Sequence, residues 1–115
     1  MKISEVLERL GGTVYVASGT ERNVERGIVG DLLSFVMGSA PEGAIWVTIQ
    51  NHVNVAAVAV LKEIPLVILA AGRSPSPELE EHCARERICL VSVEPDAFEV
   101  CGRLYEMGIS GASRA

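Results

Sequence analysis

The sequence predicts an α/β protein: a three-layer α/β/α sandwich around a mainly parallel sheet of four to five strands. Two observations carry this. Residues 44–49 (AIWVTI), 53–64 (VNVAAVAVLKEI) and 66–69 (LVIL) read as strand, helix and strand with tight connections. That order is a βαβ unit, whose strands run parallel with a right-handed crossover. The alternation then continues through residues 78–87, 88–93 and 96–107 as helix, strand and helix, the pattern of helices layered on a parallel sheet.

Within the central unit, residues 44–49 are β-branched and aromatic and short enough for a strand. Residues 53–64 are too long for a buried strand and rich in alanine, so they predict a helix that Pro65 stops. Only Asn54, Lys62 and Glu63 are polar in that helix. A helix on one small sheet keeps a solvated stripe, and this one lacks it. A homodimer is the favoured expectation, because a large apolar patch left open is unusual in a monomer.

Upstream, Ser4 is the expected N-cap of a helix striped by Val6, Leu7 and Leu10 and ended by Gly11 and Gly12. Residues 13–17 predict a strand, and 18–26 (SGTERNVER) a polar loop beyond its carboxyl end. Ile28 and Val29 suit a very short strand or an extended connector. Asp31 is the expected cap of a helix over 32–37, and residues 38–43 form a turn. Downstream, 70–75 is a loop, with Ser76 as N-cap and Pro77 at the first helical position. Acidic residues at the start of the next helix and Arg85 and Arg87 at its end suit the helix dipole. Pro95 begins the last helix and Gly108 ends it. One domain over 1–109 is expected, with 110–115 a loose tail.

Composition excludes several function classes. At 115 residues, 49% hydrophobic and 22% charged, the chain is a folded domain with a mainly aliphatic core. The net charge of −5 argues against nucleic acid or an anionic membrane surface as partner. No apolar run is long enough for a bilayer, and no signal-peptide core follows Lys2, which predicts a cytoplasmic protein. Cys83, Cys89 and Cys101 have neither disulfide nor zinc spacing, so no metal and no cofactor is expected. Cys89, inside an apolar run, reads as a small core residue.

Open parallel sheets bind ligands beyond the carboxyl ends of their strands. Three loops there carry suitable groups: Ser18 and Thr20 after the first strand, Gln50, Asn51, His52 and Asn54 after the central one, and Arg73 and Ser74 after the next. Asn51 alone is explained as a helix cap, but so many amide and imidazole groups exceed what one cap needs. Arg73, between Gly72 and Ser74, is the best single anion contact. The fourth loop, Glu94-Pro95-Asp96, would repel phosphate. No GxGxxG or GxxxxGK[ST] is present, and no Ser, Cys or Asp forms a catalytic motif beside His52. The chain is therefore expected not to be an enzyme.

The stretches GIVGDLLSFVMG, EGAIWVTIQNHVNVAAVAVLKEIPLVILAAG and YEMGI resemble the DRTGG domain family, over roughly residues 1–109. The string DRTGG itself is absent, as is the P-loop domain of HPr kinase, whose amino-terminal domain the family resembles in fold. The resemblance implies a stand-alone, dimeric regulatory module. In some pyrophosphatases such domains stand between CBS domains, and those proteins bind adenine nucleotides or diadenosine polyphosphates, which implies an adenine nucleotide as ligand. Short proteins of this type accompany iron-only hydrogenase systems, and that implies the alternative, a protein–protein interaction module for a redox enzyme.

Overall fold

The computed structural model describes residues 1–112. In chain order the elements are α1 (Ile3–Leu10), β1 (Thr13–Val16), β2 (Arg26–Val29), α2 (Leu33–Ser39), β3 (Ile45–Thr48), α3 (Asn54–Leu61), β4 (Leu66–Leu69), α4 (Pro77–Glu86), β5 (Cys89–Ser92), α5 (Ala97–Glu106) and β6 (Ser110–Gly111). The strands form one sheet in the order β1-β5-β4-β3-β2-β6. Pairing is parallel throughout except between β1 and β5. The α/β/α sandwich is as expected, with six strands instead of four or five.

Two apolar cores lie on opposite faces of this sheet. Trp46, Val67, Leu69 and Leu90 point toward α2, α3 and α4. Ile45, Val47, Leu66, Ile68 and Val91 point toward α1 and α5. Because both faces are covered, β3, β4 and β5 are buried at every position, which is why they read as unbroken apolar runs. The indole N–H of Trp46 is satisfied by the Gly30 carbonyl at 2.9 Å, so the largest core side chain also ties β3 to the end of β2.

Helix ends follow local chemistry in α4 and α5. The Ser76 hydroxyl accepts the Leu79 N–H, and the Asp96 carboxylate accepts the Glu99 N–H. Ser4 does not cap α1; the helix begins two residues earlier, and the Glu5 carboxylate accepts the Lys2 N–H at 2.9 Å. Residues 62–64 leave α3, with Glu63 in the left-handed region at φ 52° and the Ile64 N–H returning to the Ala59 carbonyl. The outer surface of α3 is apolar as expected: Val53, just before it, Val60 and Leu61 are exposed, Leu61 by 67%.

Two departures alter the architecture. β1 is an edge strand running against β5, with Thr13 opposite Ser92 and Val16 opposite Leu90. At the other edge, Ser110 and Gly111 pair with Arg26 and Gly27 as β6, where a loose tail was expected; residues 113–115 lie outside the described residues. Met1 and Ser110 border one hollow, so the described chain enters and leaves at neighbouring points. No helix among the described residues is long and apolar enough to cross a membrane.

Candidate functional site

The carboxyl ends of β2, β3, β4 and β5 bring four connections together, and two buried hydroxyls organise them. At the end of β3, the Thr48 hydroxyl donates to Asp31 Oδ1 at 3.0 Å and accepts the Gln50 N–H at 3.1 Å. The same Asp31 oxygen accepts the Ile49 N–H at 2.9 Å. Asp31 is thus not the cap of α2, whose N-cap is Leu32 without a side-chain hydrogen bond. Its carboxylate holds the β3–α3 connection instead. At the end of β5, the Ser92 hydroxyl donates to the Arg73 carbonyl at 2.6 Å.

Side-chain amides complete the frame. Gln50 Nε2 donates to the Asp31 carbonyl at 3.0 Å, and Asn51 Nδ2 donates to the Ser74 carbonyl at 2.8 Å. The Asn51 carbonyl in turn accepts the Ser76 N–H at 3.0 Å. Asn51 therefore does not cap α3, which starts from Val53 with no side-chain cap. It locks the 50–54 connection to the 70–76 loop. That loop is also bound to the β5–α5 connection, through Ala71 N–H to the Pro95 carbonyl and Gly72 N–H to the Val93 carbonyl.

These bonds decide what is free. His52 and Asn54 are exposed at the start of α3. Arg73 and Ser74 are exposed on the next loop, and Arg73 makes no ion pair among the described residues. The amide oxygens of Gln50 and Asn51 remain available while their nitrogens are committed. Carboxylates stand close by: a side chain at Gly72 would meet Glu94 Oε2 at 3.1 Å, and Asp31 and Asp96 lie at the flanks. Such a rim suits a polar, near-neutral group with one anionic contact at Arg73 better than a multiply charged anion.

Ser18 and Thr20 do not join this cluster. Because β1 runs antiparallel, its carboxyl end lies at the amino ends of β4 and β5. There the Thr20 carbonyl accepts the Ser4 N–H at 2.8 Å, and the Ser18 backbone reaches the Cys89 thiol. The structure thus brings together Gln50, Asn51, His52, Asn54, Arg73 and Ser74 and sends Ser18 and Thr20 to the opposite end. Asp31, Thr48 and Ser92 are the residues that sequence reading missed. Their one signal is polarity at the carboxyl tips of otherwise apolar strands.

The cysteines are packing groups. Cys83 and Cys89 are buried, and Cys101 is half-buried on α5. Burial pushes the Cys83 thiol up to about 12, with a smaller contribution from Cys89, and raises Cys89 and Cys101 as well. Thiols held protonated are poor nucleophiles and poor metal ligands. Among the described residues no group of His, Cys, Asp and Glu side chains could hold a metal ion.

The fold has a counterpart. It is similar to the crystal structure of the CBS and DRTGG domains of the regulatory region of Clostridium perfringens pyrophosphatase, complexed with its activator diadenosine tetraphosphate. The TM-score is 0.70 at 16% identity, over 94% of this chain and 47% of that one. This chain therefore spans about half the length of that region, and at such identity the likeness shows a shared fold. No protein-family model matches the sequence, and no curated protein does.

Proposed function

We propose that this chain is a non-catalytic regulatory domain of the DRTGG type that senses an adenine nucleotide or related anion at the carboxyl ends of β3 and β4. The observation that carries the reading is the laced pair of connections there, with His52, Asn54, Arg73 and Ser74 left exposed along its rim. The activator bound in the structurally similar pyrophosphatase region supports the ligand class. In this reading the amide oxygens of Gln50 and Asn51 and the His52 ring meet the edge of the base, and Arg73 meets a phosphate. The Glu94 carboxylate keeps further phosphates away from the β5 side. Two such domains associate through the apolar outer surface of α3.

Thermal denaturation against AMP, ADP, ATP and diadenosine tetraphosphate tests this. A ligand that binds only the folded chain raises Tm as its concentration passes Kd. A rise with one or more of these, reduced by Arg73→Ala, is the expected result. No rise with any of them at millimolar concentration overturns it.

One feature favours a second reading, an interaction module for a redox enzyme. Phe98 is 89% exposed and Tyr105 65% exposed on α5, and exposed aromatics are what protein partners anchor on. Recovery of a redox enzyme with the wild-type chain, and its loss with Phe98→Ser and Tyr105→Ser together, would support it.

A further inference from the structure

A second group of polar residues stands at the amino ends of β4 and β5, the opposite end of the sheet from His52 and Arg73. Glu63 leads into β4 and Arg87 into β5, and the two strands are neighbours, with Leu66 opposite Cys89. A hollow of about 190 Å³ opens there. Arg22, Glu63, Glu86 and Arg87 surround it, over a floor of buried Ala59, Ile64 and Ile88. None of the four charged side chains makes a hydrogen bond or an ion pair among the described residues.

The backbone fixes where three of these charges emerge. Glu63 and Arg87 follow α3 and α4 at φ 52° and 58°, in the left-handed region where glycine is the ordinary occupant. They are two of the three non-glycine residues at positive φ among the described residues, so backbone strain collects at this hollow. Strain of this kind clusters where a side chain has a task. Arg22 is placed by its own turn. Its N–H donates to the Gly19 carbonyl at 3.0 Å, and its carbonyl accepts the Ile3 N–H at 3.0 Å. Its stem lies over Gly19, where an added Cβ would come within 2.9 Å of Arg22 Cδ.

A wholly anionic ligand would be repelled here by Glu63 and Glu86, and a wholly cationic one by Arg22 and Arg87. A molecule that carries both charges a few bonds apart avoids both repulsions. The carboxyl ends of α3 and α4 also meet at this hollow, and their dipoles favour an ammonium group beside the glutamates. At one water's share of space per atom the hollow admits about six non-hydrogen atoms, the size of alanine and too few for a peptide. We propose that it binds a free α-amino acid with a small apolar side chain. Arg22 and Arg87 hold the carboxylate, Glu63 and Glu86 hold the ammonium, and the side chain rests on Ile64 and Ile88.

The test titrates the full chain with glycine, L-alanine, L-valine and L-glutamate and follows its amide NMR spectrum. Expected are shifts at residues 22, 59–64 and 86–88, largest with L-alanine or L-valine at millimolar concentration. N-acetyl-L-alanine and L-alaninamide each lack one of the two charges and should bind about tenfold or more weakly. Arg87→Gly relieves the left-handed strain, so it should keep the melting temperature of the free chain while weakening binding by a similar factor. If that variant fails to fold, Arg22→Gln supplies the comparison. No shift with any of the four amino acids overturns the proposal, as do equal shifts with the two singly charged analogues or unchanged binding in the arginine variant. Shifts confined to Val53, Ala57 and Leu61 on the outer surface of α3 would report altered association between chains and would overturn it too.

Discussion

Thr48 and Ser92 stand in one row of the sheet, either side of Leu69, and are its two buried polar side chains among the described residues. Each spends its hydroxyl proton on a different connection: Thr48 on Asp31, Ser92 on the Arg73 carbonyl. Replacing Ser92 by Ala leaves that carbonyl with water as its partner and should cost about 1 kcal/mol. Thr48→Val also leaves the Gln50 N–H without its acceptor and should cost about 1–3 kcal/mol. Urea unfolding measures both, and amide exchange at residues 71–76 should quicken in Ser92→Ala.

His52 makes no side-chain hydrogen bond among the described residues, so His52→Ala should leave Tm of the free chain within about a degree or two. Under the proposed function the same variant lowers the Tm rise produced by nucleotide. Parallel melting curves with and without ligand separate the two effects. An unchanged ligand response would remove His52 from the site.

Gly12 has φ 88° and packs on the carboxyl end of β5. A methyl group there would run into the Ser92 carbonyl and reach Val93 Cγ1 at 2.8 Å. Gly12→Ala should therefore destabilise by about 2 kcal/mol or more, combining an unfavourable backbone region with a clash. A lower urea midpoint with unchanged slope is the expected signature. Gly11→Ala is the informative comparison, because it shares the positive φ but has open space around the added carbon.

The opposite change is favourable at the end of α4. Arg87 adopts φ 58°, ψ 42°, with the Ile88 N–H returning to the Cys83 carbonyl, a termination usually built on glycine. Arg87→Gly removes the steric cost of a left-handed L-residue, about 1 kcal/mol, against a somewhat smaller rise in unfolded-chain entropy. A small net gain in Tm is expected. A loss would mean that the arginine side chain contributes more than the strain costs.

Alkaline pH should weaken the fold through Cys83. The unfolded chain releases this thiol proton near the ordinary value of 9, while the folded chain keeps it to about 12. Between those limits the unfolded state binds fewer protons, so stability falls as pH rises, with a limiting slope of about 1.4 kcal/mol per unit. Below pH 9 this contribution is fully present. Urea midpoints at pH 8, 9 and 10 check it, and Cys83→Ala should flatten the decline.

Much of this fold is legible in the residues themselves. Residues 44–69 declare strand, helix and strand because Pro65 breaks the helix and the flanking apolar runs are too short for anything else. The direction of β1 is not legible. TVYV suits a strand of either sense, and only packing against β5 selects the antiparallel one. That choice carried Ser18 and Thr20 away from the site. β6 escapes notice because Ser110 and Gly111 have little strand preference. Asp31 and Asn51 show how distant partners override local grammar. Both have the chemistry of helix caps, yet each binds a neighbouring connection in space, Asp31 at Thr48 and Ile49, Asn51 at Ser74.

The shared hollow of Met1 and Ser110 has a consequence for how this unit combines with others. With the stretch before α1 and the start of β6 at one corner of the fold, flanking chain attached there would leave the sheet and its other edge unobstructed. Traction applied at Met1 and Ser110 would bear on the short pairing of Ser110 and Gly111 with β2 before it reached the central strands, so the fold would loosen from one side while its middle held.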